Sequence, residues 1–166
     1  MKLSENFVLA EFTKSATATK RGIDNTPQGE HMENLKYVVQ KICQPVREAF
    51  GKPVRINSGY RSPALNVAVG GSKTSQHCNG QAVDMEINGV PNIVLADWIA
   101  ENCTFDQVIL EFYNPAEGAN SGWVHASVRS DGKNRGQKLI AFKDGKSTRY
   151  QVVTDFDPNN DYEKYV

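Results

Sequence analysis

Cysteine is scarce in this 166-residue chain, with Cys43, Cys78 and Cys103 forming an odd number at wide spacing. That excludes a disulfide framework and any paired C-x-x-C zinc ribbon. An excess of one charge is missing too. Nineteen Lys and Arg balance nineteen Asp and Glu, for a formal net charge of zero. Composition therefore supplies no electrostatic reason to expect nucleic acid or an anionic membrane as a partner. No apolar run approaches the ~20 residues of a transmembrane helix, so no membrane insertion is expected. Residues 1–6 lack the apolar core of a signal peptide, and the expectation is synthesis in the cytoplasm without one. Histidine is as rare as cysteine: His31, His77 and His125. There is no internal repeat, linker or low-complexity block.

What is present reads as one globular domain. The hydrophobic fraction is 39% and the charged fraction 23%, enough apolar residue for a core at this length. The domain is expected over residues 1–153, with a frayed polar tail at 154–166, and a monomer is expected. Phe7, Val8, Leu9 and Phe12 form a short apolar segment, and residues 13–25 read as a loop. Thr26-Pro27 looks like a helix N-cap and first turn. Met32, Leu35, Val38, Val39, Ile42, Val46 and Phe50 follow at helical spacing up to Gly51. Pro45 inside that pattern should kink or divide the helix. Strands are expected at 54–57, 82–87, 107–112, 123–128, 138–142 and, more weakly, 150–153. Helices are expected at 63–69 and 91–103. A leading helix followed by strands with tight connections implies α+β, a small mostly antiparallel sheet with helices packed on one face.

The chemistry gathers in Ser75-Gln76-His77-Cys78-Asn79-Gly80-Gln81-Ala82-Val83-Asp84. A carboxylate in an apolar strand needs a partner. Gly80 lets the chain turn back between His77 and Asp84, so one nitrogen and one oxygen can face a single cation, a pairing that zinc accepts. By strand alternation Trp123, His125 and Ser127 share a face, as do Gln107, Ile109 and Glu111. If these strands flank the Asp84 strand, His125 completes a three-ligand zinc set and leaves a position open for water. Glu111 then stands nearby as a general base. Glu86 has the same parity as Asp84 and is a rival neighbour of the metal. Arg61, in a polar turn, suits a carboxylate or an oxyanion. His31 reads as an ordinary helix-surface residue.

Ser58-Gly59-Tyr60-Arg61-Ser62, Asn66, Gly70-Gly71, S-x-H-x-x-G-x-A-x-D over 75–84 and Trp123-Val124-His125 together resemble the zinc D-alanyl-D-alanine carboxypeptidase family. The likeness spans roughly residues 3–128 and is nearest to the phage and prophage branch, which includes L-alanyl-D-glutamate endopeptidases. The resemblance implies a Hedgehog/DD-peptidase-like fold and zinc ligands at His77, Asp84 and His125. It also implies a substrate- and oxyanion-binding role for Arg61, with Ser75 and Gln76 as further substrate contacts. The implied partner is a peptidoglycan stem peptide, met in the cell wall after release or as part of a virion. One departure stands out. Many relatives carry the catalytic acid three residues before the last histidine, where this chain has Gly122, and Glu111 is the proposed substitute.

Three functions remain open on the sequence: a zinc peptidase of stem peptides, a non-catalytic zinc-binding wall or structural module of the same fold, and a cysteine peptidase using Cys78 with a histidine. The position of Glu111 separates the first two. The third conflicts with His77 acting as a ligand.

Overall fold

Alternation of apolar and polar residues builds the sheet. The structure, a computed structural model, describes residues 1–159. Among them, β1 (Arg55–Ser58), β2 (Ala82–Glu86), β3 (Gln107–Glu111), β4 (Trp123–Ser127), β5 (Gln137–Asp144) and β6 (Ser147–Val152) form a six-stranded sheet in the order β1-β2-β4-β3-β5-β6. Every neighbouring pair is antiparallel except β3–β5, which is parallel. Val83, Met85, Val108, Leu110, Val124, Ala126 and Ile140 enter the main core from the sheet. The helices cover that face, so the architecture is α+β with a mostly antiparallel sheet.

The helical layer includes α3 (Glu30–Val38), a π-helical turn (Val39–Cys43), α4 (Gln44–Phe50) and α6 (Asn92–Asn102). Leu35, Val38, Ile42 and Val46 from the first helical run, with Leu95, Ala96 and Ile99 from α6, pack into the same core. Pro45 divides the run rather than stopping it. It has no N–H to give back to the preceding turn, and the wide π turn just before it absorbs that defect. Gly51 ends the run in the left-handed conformation (φ 62°).

Several boundaries differ from the expectation. The helix expected from Thr26-Pro27 begins at Glu30, because Asn25 is drawn into the interior. Its Nδ2 donates to the carbonyls of Thr13 (2.9 Å) and Tyr60 (3.0 Å), and its Oδ1 accepts from the Ser62 N–H (2.8 Å). These tertiary bonds outweigh a local cap signal. The expected loop at 13–25 contains α2 (Ala16–Arg21), capped by Ser15 and closed by Gly22; a four-residue α1 (Ala10–Thr13) precedes it. The weak final strand is a full hairpin partner of β5. Residues 154–159 are not a frayed end, since Phe156 is buried in the main core; the rest of the expected tail, 160–166, lies outside the described residues. Residues 63–68 form α5 (Pro63–Ala68), close to expectation. No helix of the described residues is long and apolar enough to cross a membrane.

Candidate metal centre

The opposite face of the sheet carries the chemistry. Asp84 of β2 stands directly opposite His125 of β4, and Glu111 of β3 opposite Trp123. Directly paired residues project from the same face, so backbone register alone brings Asp84, His125 and Glu111 together. His77 arrives from outside the sheet, on a 3-10 turn (Gln76–Asn79) whose cap is Ser75. Gly80 closes that turn at φ 72°, and a side chain there would collide with the His31 carbonyl of α3. Only glycine lets the turn pack this closely.

The ligand atoms of His77, Asp84 and His125 all lie within 4.8 Å of one another, and the three could hold a metal ion. His77 Nδ1 is 2.7 Å from the Gly59 carbonyl. A carbonyl only accepts, so Nδ1 carries the proton and Nε2 turns its lone pair toward Asp84 Oδ1, 3.3 Å away. His125 Nδ1 lies 3.0 Å from the same oxygen and 3.8 Å from Glu111 Oε1. Two facing acceptors need a cation between them, a proton or a metal ion, and two imidazoles with one carboxylate form a donor set that suits zinc. The residues present therefore fit a zinc ion. Burial would push the Asp84 carboxyl up, but the charge of His77 and bonding to both imidazoles outweigh it and hold Asp84 well below the usual range.

Glu111 behaves oppositely. Burial first, then the charge of Asp84, push its carboxyl up to about 7. His125 and Arg61 pull the other way, and the Trp123 indole N–H approaches without reaching hydrogen-bond geometry. Gly122 explains why the acid is not found three residues before His125. It sits at φ 66°, and a Cβ there would drive into the Glu111 carbonyl oxygen. The chain uses that position to close β4 against β3, and Phe112, at φ 55°, turns sharply as soon as Glu111 has been placed.

Arg61 lines the same cleft, which encloses about 840 Å3. Its Nη2 donates to Ser75 Oγ (3.2 Å), while its Nε is buried and finds no partner among the described residues. It forms no ion pair there, so the guanidinium is unspent. Ser75 and Gln76 also line the cleft, but both have structural duties. Ser75 Oγ accepts from the His77 N–H (3.3 Å), and Gln76 Nε2 donates to Asp106 Oδ2 (2.9 Å). Glu86 is removed from the group. It binds Arg55 (2.7 Å) and Asn57 (2.8 Å) at the far end of β2. His31 lies apart, its Nδ1 3.4 Å from the Tyr60 hydroxyl. Burial raises the Cys78 thiol and Arg61 only partly offsets it, while His77 is committed to Gly59 and Asp84. A thiol so held is a poor nucleophile, which removes the cysteine-peptidase reading.

Asp106 was missed on the sequence, although a lone aspartate between Phe105 and the apolar β3 is a signal of a buried partner. It is fully buried. Its carboxylate accepts from Gln76, from the Arg135 backbone N–H (2.8 Å) and from Arg135 Nε (3.0 Å) and Nη2 (2.7 Å). It ties the His77 turn to the segment entering β5. Burial opposes ionisation, but the bonds from Arg135 prevail and hold its pKa low. Asp106→Asn should lose about 2 kcal/mol of stability at pH 7, a charge-assisted set being exchanged for a mispaired amide. Because the folded pKa is depressed, the advantage of the wild type is complete above the unfolded value near ~4. It falls away as pH drops through the lower folded value. Denaturant unfolding of both proteins at pH 7 and in acid checks this; a difference that grows in acid would contradict it.

A protonatable carboxyl and an unpaired guanidinium around a His/Asp/His group define a metal-dependent hydrolase site in the making. The comparison with known families makes this specific. The chain matches the Peptidase M15 model over residues 5–126 and belongs to that family of zinc metallopeptidases. His77, Asp84, His125, Arg61 and Glu111 all fall inside the match. No curated protein matches the chain.

Proposed function

We propose that this protein is a zinc peptidase that hydrolyses a peptide bond in peptidoglycan stem peptides, either D-Ala–D-Ala or L-Ala–D-Glu. The observation that carries the catalytic reading is the placement of Glu111: a half-buried carboxyl 3.8 Å from His125 Nδ1, beside the ligand group and in the same cleft as Arg61. A non-catalytic zinc module has no use for a carboxyl that is close to the ligands yet outside their set. The stem-peptide assignment is supported by the motif resemblance and by Arg61, since such peptides are rich in carboxylates.

His77 Nε2, an Asp84 oxygen and His125 Nδ1 would hold the metal. Zinc bound there supplies a Lewis acid that polarises the scissile carbonyl and acidifies water. The chain's own residues do the rest. Glu111 takes a proton from the attacking water and passes it to the departing amine. Arg61, with its buried Nε still free to donate, binds a substrate carboxylate or the developing oxyanion. The Gly59 carbonyl fixes the His77 ring, so the site is oriented before substrate enters. The protein would be made in the cytoplasm and act as a monomer on the wall, after release or as a virion component, as the phage-branch likeness suggests.

Metal analysis of the purified protein, paired with digestion of defined muropeptides and mass spectrometry of the products, tests this and names the bond cut. Bound zinc with no cleavage of any wall peptide would favour the binding module. Arg61→Ala should lower kcat/KM by the equivalent of about 2–4 kcal/mol of barrier while melting close to wild type. A large fall in melting temperature with normal turnover would show that Arg61 serves the fold instead.

A further inference from the structure

The family match ends at residue 126, and the β5–β6 hairpin lies beyond it. The hairpin joins the sheet through the parallel β3–β5 pairing, where Glu111 stands opposite Ala141, and Ala141 in turn stands opposite Tyr150. Tyr150 therefore projects from the same face as Glu111, two strands away. The next row along the strands runs from Asp84 to His125, Ile109, Leu139 and Val152. Ile109, Leu139 and Ala141 form an apolar cluster separate from the main core. This cluster is the floor between the ligand group and the hairpin. Tyr150 is 58% exposed and Val152 56%.

A single exposed tyrosine ordinarily needs no explanation. This one stands at the end of an apolar strip whose other end is the ligand group, and it lines the cleft that contains Arg61. Ala141, the smallest residue of the row, separates it from Glu111, so no bulky side chain screens the ring from the reaction centre. Partial burial, then the charges of Glu111 and Asp84, raise the phenol pKa. The same lining includes Arg61, Ser72, Thr74 and Ser75. Gln107, Arg135 and Thr148 also reach the lining, and Ile109, Leu139 and Tyr150 make up an apolar part of it.

We propose that Tyr150 is a specificity-determining residue. With Ile109 and Leu139 it forms an apolar subsite for the part of the peptide lying across the scissile bond from the carboxylate bound by Arg61. The inference rests on the peptidase reading. The hairpin, which lies beyond the family match, then sets which residue is favoured at that subsite.

The test uses the synthetic pentapeptide L-Ala-D-γ-Glu-L-Lys-D-Ala-D-Ala with the zinc-loaded protein. Tyr150→Ala should raise KM about tenfold with kcat within about twofold, the pattern of lost uniform binding. Tyr150→Phe should stay within about twofold of wild type in both, since the ring does the packing. Tyr150→Thr, which keeps strand propensity, should match Tyr150→Ala and separates the lost ring from any weakening of β6. Calorimetric titration of the metal-free proteins with the same peptide should show Kd weakened by the same factor. Unchanged KM and Kd in both Ala and Thr variants would overturn the proposal, as would a fall in kcat at constant KM. A wild type that binds the peptide without cutting it would sink the peptidase reading while the Kd comparison still decides the role of Tyr150. A wild type that neither binds nor cuts would overturn both.

Discussion

His125→Ala protein should purify with less than stoichiometric zinc and hydrolyse no stem peptide. His125 is the pivot of the group, 3.0 Å from Asp84 Oδ1 and 3.8 Å from Glu111 Oε1. Removing its ring takes away one of three donors and also opens the space between the two carboxylates, which then repel across it. Loss of a mere outer-shell partner costs about 10–100-fold in metal affinity, and loss of a ligand should exceed that. The fold should survive, because the backbone of residue 125 keeps its place between β2 and β3. Metal content of the purified variant, with its circular dichroism spectrum as control, checks both halves. Full zinc occupancy in the folded variant would refute the ligand assignment.

Glu111→Gln should keep its zinc and its melting behaviour and lose about 10²–10⁴-fold in turnover. The exchange preserves shape and abolishes basicity. Glu111 lies at the end of a strand whose preceding Val108, Ile109 and Leu110 are buried, so its side chain is delivered by a rigid element rather than by a loop. Its carboxyl is raised by its surroundings, and a dication beside it would pull it back toward the ionised base that the reaction needs. Single-turnover kinetics on a defined muropeptide, alongside metal analysis, decide the matter. If the variant loses zinc, Glu111 is a ligand. If it keeps near-full activity, the proton moves by another route, and Glu86 is a poor substitute, because Arg55 and Asn57 already hold it.

The convergence of Asp84, His125 and Glu111 was legible in the sequence because it depends on strand alternation and nearest-neighbour pairing, both local rules. Glu86 shows the limit of parity. It faces as Asp84 does, but two residues along a strand is about 7 Å, and a salt bridge to Arg55 claims it. The partners of Asp106 are not legible, because they come from residues 76 and 135, and no local pattern announces that union. The helix α2 is masked in the sequence because Thr17 and Thr19 lower helix propensity, although Ser15 and Gly22 bracket it with cap signals. Phe156 reads as part of a tail because its neighbours Asp155 and Asp157 are polar, and its burial depends on a core supplied by the rest of the chain.

Gly59 presses against Phe12: a side chain there would meet the Phe12 backbone, and the next N–H, that of Tyr60, donates to the Phe12 carbonyl at 2.8 Å. The same Gly59 carbonyl orients His77. The N-terminal segment and the metal therefore act on one loop from opposite sides. Thermodynamic reciprocity follows: whatever free energy the docked segment gives to the ordered loop is returned as affinity for the cation, and a bound cation would lower the equilibrium constant for opening the segment by the same factor. A residue far from the chemistry thereby becomes a reporter of site occupancy, readable as the hydrogen-exchange rate of the Tyr60 amide.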